Sequence, residues 1–329
     1  MKKLRVGIFG IGHNHAAAAV KALRSRTDVE IVGLCEGNEM VLMRKLSEED
    51  AFFGIPVFSK AQLFAARPDA AMVEAAVPAL VPLSEECAQR GMHIYMDKPA
   101  GTDLAAFRGL LDTAARMQRC FRTGYMYRFN AGIGYLMQAV NSGRLGRIYN
   151  ITAQMCTKHP LWFKEQLLSY HVKAPVMFIF GGHLIDLVLQ IKGEPQSLYT
   201  QHTCSGNDGL TFEDTSLAVF TYGDGIATVR VSACEVNGWG MREFTVYGEK
   251  GTISVSPIDA TMRVRETMLE ESSPWKDCTK EVACKEQGRY DAMLEEFVRT
   301  ARGELPLRNR LEHEYLLQKY TLKACGYQV

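Results

Sequence analysis

A glycine-containing turn near the start of the sequence could bind a phosphate group. Gly10 and Gly12 follow an apolar run at 4–9 and precede an alanine-rich stretch that begins at Ala16. This spacing permits a tight turn between a strand and a helix, so that backbone N–H groups approach a pyrophosphate at the positive end of the helix. The third glycine of the dinucleotide fingerprint is replaced by His15. The residues predicted to line a dinucleotide here are Gly10, Ile11, Gly12, His13 and Asn14.

An acidic residue supports this interpretation. Glu36 closes the second apolar run, 24 positions after Gly12. Dinucleotide-binding proteins place the acid that binds the adenosine ribose at a distance of roughly 20 residues. A carboxylate there repels the 2′-phosphate of NADP, and neither Gly37 nor Asn38 offers a cation to hold one. We therefore expect NAD as the cofactor, with NADP disfavoured. An ordinary turn followed by a surface glutamate is the alternative.

A lysine follows another apolar run and could act on a substrate. Asp97, Lys98 and Pro99 come directly after the run at 93–96. In open parallel sheets, ligands bind at the carboxyl ends of the strands. A lysine held there can donate a hydrogen bond to a hydroxyl or carbonyl oxygen, and its charge stabilises a developing alkoxide. From position alone, a solvated surface lysine is the alternative.

The elements that must position these residues follow from hydrophobic patterning. Near-continuous apolar runs at 4–9, 29–34, 70–75 and 93–96 alternate with helical stretches at 16–25, 39–47, 61–65, 81–90 and 104–119. Apolar strands that alternate with helices are typical of a parallel sheet covered on both faces. The N-terminal part is therefore predicted to be α/β, a doubly wound parallel sheet of the Rossmann type.

The pattern changes after about residue 120. Helices are predicted at 131–142, 182–191, 285–302 and 309–324, and strands at 147–155, 197–203, 210–222, 226–234, 243–247 and 252–256. Glycine-containing turns separate several of these strands, which indicates hairpins. We predict an α+β domain with a large, mostly antiparallel open sheet. The expected domains are 1–122 and 123–329, with the C-terminal helix able to pack back on the first domain.

Length and composition exclude several classes of protein. A chain of 329 residues suits two domains. The net charge of +1 argues against a nucleic-acid binder. Nine scattered cysteines without a CxxC pair fit free thiols in a reducing cytoplasm. No apolar run approaches the ~18 residues of a membrane span. We expect a cytoplasmic protein with a small-molecule partner and with neither nucleic acid nor membrane as a partner.

Five segments in order resemble a known family across essentially the whole chain. They are GIFGIGHNHA at 7–16, GMHIYMDKPAGTDL at 91–104, GYMYRFNAG at 124–132, NSGRLGRI at 141–148 and GGHLIDLVLQIKGEP at 181–195. Together they resemble the glucose-fructose oxidoreductase, inositol dehydrogenase and rhizopine-catabolism (Gfo/Idh/MocA) oxidoreductases.

The resemblance implies roles for particular residues. Lys98 would lie beside the nicotinamide and contact the reacting oxygen, while Asp97 and the turn containing Ala76 and Pro78 would line the cofactor. His183 matches the family's catalytic histidine, the usual proton acceptor. The resemblance also implies pairing of subunits through the second domain, as a homodimer or homotetramer.

The sequence departs from the family near this histidine. Dehydrogenases of the family commonly carry an aspartate four residues earlier, where this chain has Ile179. The replacement of this aspartate by isoleucine implies one of three things: a different substrate, a different path for the proton, or loss of the catalytic reaction. Asp186 lies three residues after His183, so on a helix it shares the same face. It either orients the imidazole or serves a structural purpose, and we favour the second.

Candidate substrate-binding residues lie ahead of the His183 helix. The segment 157–173 is rich in side chains that stack or hydrogen-bond, including His159 and Trp162. It is either a substrate-selecting loop or a solvated connection anchored by its tryptophan. Tyr127 is a further candidate for substrate contact, whereas Arg128 is at least as well suited to holding the domains together.

His159 and His171 lack clustered partners at metal-ligand spacing. His13 and His15 are either polar residues of the turn or metal ligands, and we favour the first, so no metal site is predicted.

The sequence therefore predicts an NAD-dependent oxidoreductase. It would transfer a hydride between nicotinamide and a secondary alcohol or carbonyl of a sugar, cyclitol or related polyol. One alternative is a glycosidase-type enzyme of the same fold that oxidises its sugar transiently with bound NAD. Another is an NAD-binding sensor or regulator without catalysis. The identity of the substrate and the direction of reaction stay open.

Overall fold

The computed structural model describes residues 2–259, 262–270, 277–285 and 288–329. The chain forms two units. The first contains residues 1–125 and 290–315, and the second contains residues 126–289 and 316–329. Each unit therefore combines two separate stretches of the sequence, and the division falls within the last helix.

The first unit is a doubly wound parallel sheet. Its strands are β1 (Leu4–Phe9), β2 (Val29–Cys35), β3 (Ala70–Val73), β4 (His93–Met96) and β5 (Phe121–Thr123), in the order β2-β1-β3-β4-β5. All described pairs within it are parallel. The connecting helices are α1 (Ala16–Arg24), α2 (Glu39–Glu48), α3 (Lys60–Ala65), α4 (Val77–Gln89) and α5 (Leu104–Arg116). This confirms the predicted Rossmann-type sheet.

The strands and helices form because apolar residues recur at the right period. All four residues of β3 are buried, as expected of a strand covered on both faces. In α5, the buried side chains Phe107, Leu110 and Leu111 recur at three- and four-residue spacing, and Asp103 caps the helix by accepting from the Ala106 N–H. The core of this unit is thus continuous between sheet and helices.

The C-terminal stretch of the first unit covers its β4–β5 edge. Helix α9 (Asp291–Ala301) places Phe297 against Tyr95, with ring centroids 5.9 Å apart. Its Glu296 accepts two hydrogen bonds from Arg122 of β5, at 2.8 and 2.6 Å. Thr123 donates to Glu314 at 2.6 Å. These bonds tie residues almost 200 positions apart in the sequence.

The second unit is built on a larger sheet. Its helices are α6 (Ala131–Asn141), α7 (Leu161–Leu168), α8 (Gly182–Lys192) and most of α10 (Leu311–Ala324). Its strands are β6 (Ile148–Cys156), β7 (Ser197–Thr203), β8 (Thr215–Tyr222), β9 (Gly225–Ser232), β10 (Glu243–Gly248), β11 (Gly251–Val255), β12 (Val264–Leu269) and β13 (Asp277–Val282).

This sheet is open and mostly antiparallel, as predicted. Its order is β13-β12-β11-β10-β6-β9-β8-β7. Strands β6 and β9 run parallel, whereas the other described neighbours are antiparallel. Strand β8 alternates between buried and partly exposed residues, so that one face of the sheet packs on a core. Helix α8, buried from Gly182 to Leu189, contacts β6 and β9.

Several predicted boundaries were wrong. The strand predicted from 210 begins at Thr215, because the Asp214 carboxylate instead accepts hydrogen bonds from the backbone and hydroxyl of Ser205. The helix predicted from 285 begins at Asp291, and part of its predicted first turn, residues 286 and 287, lies outside the described residues. The segment 157–173 was predicted as a loop or connection but contains the helix α7. Within the described residues, no helix combines the length and apolar character that crossing a membrane requires.

Candidate active site

The glycine turn between β1 and α1 packs directly against the end of β3. Gly10 has a φ of +79°, and a Cβ there would lie 2.5 Å from Ala75 Cβ. A Cβ on Gly12 would lie 3.1 Å from the backbone nitrogen of Ala76. Two reasons therefore explain the two glycines of the turn. Gly10 has a left-handed backbone that glycine adopts without strain, and at both positions a side chain would collide with the segment after β3. His15 precedes α1 with helical backbone angles and makes no side-chain cap.

Glu36 is bonded to the turn. Its Oε2 accepts a hydrogen bond from the Ile11 N–H at 2.9 Å, and its Oε1 accepts one from the Asn38 N–H at 3.0 Å. Asn38 in turn caps helix α2. The carboxylate predicted to bind the ribose therefore also holds the backbone of the glycine turn.

Asp97 joins the glycine turn to Lys98. Its Oδ2 lies 2.9 Å from His13 Nδ1 and 3.0 Å from His15 Nδ1. Its Oδ1 accepts a hydrogen bond from the Lys98 N–H at 2.6 Å. Asp97 and Lys98 are buried. Burial alone would raise the pKa of the Asp97 carboxyl, but the two imidazoles hold that pKa well below its usual range. Asp97 was expected to line the cofactor, and the structure aims its carboxylate at the turn's histidines.

A second buried carboxyl was missed in the sequence. Glu74 follows β3 and is fully buried, and its carboxyl lies next to that of Asp97. Burial, and then the charge of Asp97, raise the pKa of this carboxyl well above its ordinary value. The hydroxyl of Tyr95 is also buried, without a hydrogen-bond partner. Burial raises the pKa of this hydroxyl most, and the charges of Glu74 and Asp97 raise it further, so Tyr95 lies near both carboxyls. The sequence signal that could have revealed this buried carboxyl is a single glutamate inside the apolar run AAMVEAAV at 70–77.

The turn after β3 exposes two of the residues predicted to line the cofactor. Ala76 precedes α4 and Pro78 stands in the first turn of that helix, where its missing N–H costs nothing. Both are exposed, whereas their neighbours Ala75 and Val77 are buried. Because β3 lies between β1 and β4 and runs parallel to both, this exposed pair lies at the same strand-end edge as the glycine turn and Lys98.

In the second unit, Tyr127 and His183 lie side by side. Their ring centroids are 5.3 Å apart, and both side chains are buried. Arg128 and Asp186 form a bidentate ion pair with N–O distances of 2.8 and 2.9 Å. Asp186 thus pairs with Arg128 inside the second unit. Burial raises the pKa of Tyr127.

Arg242 is a further residue of this region that the sequence did not single out. It is buried, and it donates to the Thr157 hydroxyl at 2.6 Å and to the Tyr127 hydroxyl at 3.5 Å. Its guanidinium lies 3.5 Å from the ring centroid of Trp239. Asp259 accepts from it at 3.4 Å. An arginine directly before a predicted strand carries no signal that it will be buried.

An aromatic stack lies close to His183 in the sequence. The His159 ring stacks on Phe180 at 4.9 Å and on Phe163 at 4.5 Å. Trp162 meets Phe163 edge-on at 5.6 Å and is 63% exposed. Burial, and then the charge of Arg242, lower the pKa of His159 to about 4. His159 therefore lies in a stack where its surroundings disfavour the charged ring, and Trp162 presents an apolar face to its surroundings.

Ile179 lies in a wide helical turn that leads into α8. The π-helical segment Met177–Gly181 continues without a break into that helix. All of its residues are buried. Such π turns are rare and are often found at functional sites. His183 therefore lies inside a continuous helical stretch, just after the irregular turn.

The structure brings together some predicted residues within each unit. In the first, the glycine turn, Asp97 and Lys98 are neighbours. In the second, Tyr127 contacts His183, and His159 is joined to Trp162 through Phe163. Lys98 and His183 belong to different units, so their meeting at one site stays a prediction.

Comparison with known proteins places the chain in a family. Residues 4–125 match the Gfo/Idh/MocA model described as an oxidoreductase family with an NAD-binding Rossmann fold, and residues 134–254 match a C-terminal domain of the same family. The chain belongs to the Gfo/Idh/MocA oxidoreductases.

Two curated relatives are dehydrogenases. The chain is 24% identical over 213 residues to D-glucoside 3-dehydrogenase of Escherichia coli K12, covering 61% of this chain and 60% of that protein. It is 26% identical over 207 residues to dehydrogenase aclE of Aspergillus oryzae, covering 57% of this chain and 56% of that protein. The aligned part thus spans less than two thirds of either relative.

Solved structures share the fold over nearly the whole chain. A protein from Desulfitobacterium hafniense DCB-2 described as an NADPH-dependent oxidoreductase has a TM-score of 0.83 at 14% identity, covering 99% of this chain and 95% of that one. UDP-N-acetylglucosamine 3-dehydrogenase GnnA from Acidithiobacillus ferrooxidans has a TM-score of 0.80 at 17% identity, with 99% and 98% covered. These likenesses establish the fold.

Proposed function

We propose that this chain is an NAD-dependent oxidoreductase that transfers a hydride between nicotinamide and a secondary alcohol or carbonyl of a sugar, cyclitol or related polyol. The observation that carries the proposal is the single carboxylate that links the glycine turn to Lys98. Asp97 accepts from the Lys98 N–H through one oxygen and reaches His13 and His15 of the turn through the other. The backbone of Lys98 is thereby joined to the glycine turn, and the charge of Lys98 acts on His15 of that turn.

The residues of the first unit fit a dinucleotide. Because Gly10 and Gly12 have no side chains, the backbone of the turn is uncovered at these two positions. A pyrophosphate can therefore approach the backbone N–H groups before α1. Glu36, fixed by two backbone donors, favours a ribose with a free 2′-hydroxyl over a 2′-phosphate. NAD is accordingly the proposed cofactor, although one structural neighbour is described as NADPH-dependent.

The second unit supplies the proposed substrate contacts. Tyr127 and His183 present a hydroxyl and an imidazole side by side, and Trp162 offers an exposed apolar face. Hydroxyl-rich substrates need hydrogen-bonding groups beside apolar surface. A sugar is further suggested by two relatives, since one is named for a D-glucoside and one for UDP-N-acetylglucosamine.

The proposed chemistry divides between two residues. The bound nicotinamide supplies the hydride acceptor or donor. Lys98 donates a hydrogen bond to the reacting oxygen, and its charge stabilises negative charge that develops there. His183 accepts the hydroxyl proton during oxidation and returns it during reduction. With Ile179 in place of the usual aspartate, Tyr127 is the ring that packs against this histidine.

The assembly and location are also part of the proposal. The nine cysteines are free thiols, which suits a reducing cytoplasm. Tyr199 and Ile226 are exposed on the large sheet, at 63% and 45%. This apolar surface supports pairing of subunits through the sheet, as a homodimer or homotetramer.

A substrate screen tests the proposed reaction. Sugars, glycosides, nucleotide sugars and cyclitols are incubated with NAD or with NADP, and the absorbance of the reduced nicotinamide is followed. We expect reduction of NAD by at least one class of substrate. Lys98→Met should lower kcat by about 100-fold or more, because the alkoxide loses its charge partner. Lys250→Met, the same change at an exposed lysine, is the matched control.

The screen separates the proposal from its rivals. Glycoside cleavage without net formation of reduced nicotinamide would favour the glycosidase-type reaction. NAD binding without any turnover on the panel, and with Lys98→Met indistinguishable from the parent, would favour a sensor. Either result would overturn the proposed dehydrogenase.

A further inference from the structure

Three side chains converge on one point beside Lys98. The atoms of His13, His15 and Asp97 that could ligate a metal ion all lie within 4.8 Å of one another. Both imidazoles present Nδ1 to the same carboxylate oxygen, at 2.9 and 3.0 Å. We refer to His13, His15 and Asp97 as the His-His-Asp group. Among the described residues, it is the one group of at least three potential metal ligands whose ligand atoms lie this close together.

A further buried acid neighbours this group. Glu74 is fully buried, and its carboxyl lies next to that of Asp97. Among the described residues, Glu74 is not one of the side chains whose ligand atoms converge. The converging ligands are therefore the two imidazoles and the Asp97 carboxylate.

We propose that the His-His-Asp group binds a divalent transition-metal ion of the zinc class, as a site of three protein ligands with an open fourth position. Zinc accepts imidazole nitrogen and carboxylate oxygen at about 2.0–2.2 Å in tetrahedral geometry, which sets ligand atoms about 3.3 Å apart. The observed Nδ1–Oδ2 distances need to widen by only a few tenths of an ångström. Magnesium and calcium prefer all-oxygen ligands, so two imidazoles select against them.

A backbone hydrogen bond orients the carboxylate of this group. The Lys98 N–H occupies Oδ1 and thereby orients Oδ2 toward the imidazoles, as outer-shell hydrogen bonds do in metal sites.

The proposed ion would tie the glycine turn to the end of β4. It would bring positive charge to the side of the turn where a pyrophosphate is expected, beside Lys98. Metal binding does not depend on the proposed dehydrogenase activity, because the ligands all belong to the first unit and can be tested without substrate.

Metal uptake by the whole purified chain tests the site. After dialysis against chelator, Zn²⁺ or Co²⁺ is titrated in against a chromophoric competitor, and bound metal is counted by elemental analysis. We expect one ion per chain, with Co²⁺ giving the visible absorption of a four-coordinate N/O site. His15→Ala and Asp97→Asn should each weaken binding by about 100-fold or more. His15 makes no side-chain cap to α1, so its replacement leaves that helix intact.

The controls keep the outcome decisive. His171→Asn, exposed and remote in the sequence, should bind metal like the parent. Circular dichroism shows that each variant is folded. Absence of stoichiometric uptake by the folded parent would overturn the proposal, as would equal uptake by the His15→Ala variant. Since NAD binding is measured separately, failure of the metal site and failure of the cofactor site are distinguishable.

Discussion

Replacing Gly10 by alanine tests how the glycine turn is built. Gly10 has φ +79°, and a Cβ there would lie 2.5 Å from Ala75 Cβ and 2.6 Å from Ala75 Cα. The backbone around Ala75 cannot retreat cheaply, because the Glu74 N–H donates to Phe9 O and the His13 N–H donates to Glu74 O. Gly10→Ala should therefore displace the turn that is proposed to bind the pyrophosphate.

The magnitude follows from two contributions. The left-handed backbone costs an alanine about 1–2 kcal/mol. Overpacking against a fixed neighbour adds about 1–3 kcal/mol. The free energy of unfolding should therefore fall by about 2–5 kcal/mol. Gly54→Ala isolates the first contribution, because Gly54 has φ +74° with no heavy atom within 4 Å of the added Cβ.

The assay compares the two variants with the parent. Urea unfolding gives the change in stability, and titration of NAD against protein fluorescence gives its affinity. We expect Gly54→Ala to lose about 1–2 kcal/mol and to bind NAD normally. Gly10→Ala should lose more stability and bind NAD at least about tenfold more weakly. Equal stability and equal NAD affinity in the two variants would refute the close approach of the turn to Ala75.

Three further predictions follow from buried groups. Because burial raises the pKa of Glu74, the folded state keeps a proton that the unfolded state releases above the ordinary pKa, so stability falls as pH rises. Glu74→Gln should remove this dependence, which amounts to at most about 1.4 kcal/mol per pH unit in urea unfolding. Because the pKa of His159 is lowered to about 4, the unfolded chain takes up a proton between pH 6.5 and 4 and acid destabilises the fold. His159→Phe should reduce this acid loss in thermal melts while keeping the aromatic stack; an unchanged pH profile would contradict the burial of that ring. Arg128→Met should cost about 3–5 kcal/mol, since Asp186 is buried as its partner. Adding Asp186→Leu should restore part of that loss, and a fully additive double variant would argue against the ion pair.

Local sequence signals predicted the parts of the molecule that depend on near neighbours. The apolar run before Gly10 and the small residues after it indicated a strand, a tight turn and a helix, and the structure has them at Leu4–Phe9 and Ala16–Arg24. The strand ahead of Lys98 was predicted at His93–Met96, and the structure has the same bounds. These predictions are confirmed because hydrophobic periodicity and the backbone freedom of glycine depend only on residues close together in the sequence.

Features that depend on distant partners could not be predicted. Arg242 is buried because Thr157 and Tyr127, far away in the sequence, accept its hydrogen bonds. The convergence of His13 and His15 on Asp97 arises only when β1 and β4 join one sheet. Strand β13 has five exposed residues, so it lacks the apolar alternation that would reveal a strand.

The most direct test of the central claim is a deuterium-transfer experiment. The full chain is incubated with NAD and with sugars that carry deuterium at single secondary carbons, and the nicotinamide is analysed by mass spectrometry. The proposed dehydrogenase predicts deuterium in the reduced nicotinamide with at least one sugar, and its loss in Lys98→Met. Absence of deuterium from the nicotinamide across the panel, in protein shown to bind NAD, would contradict it.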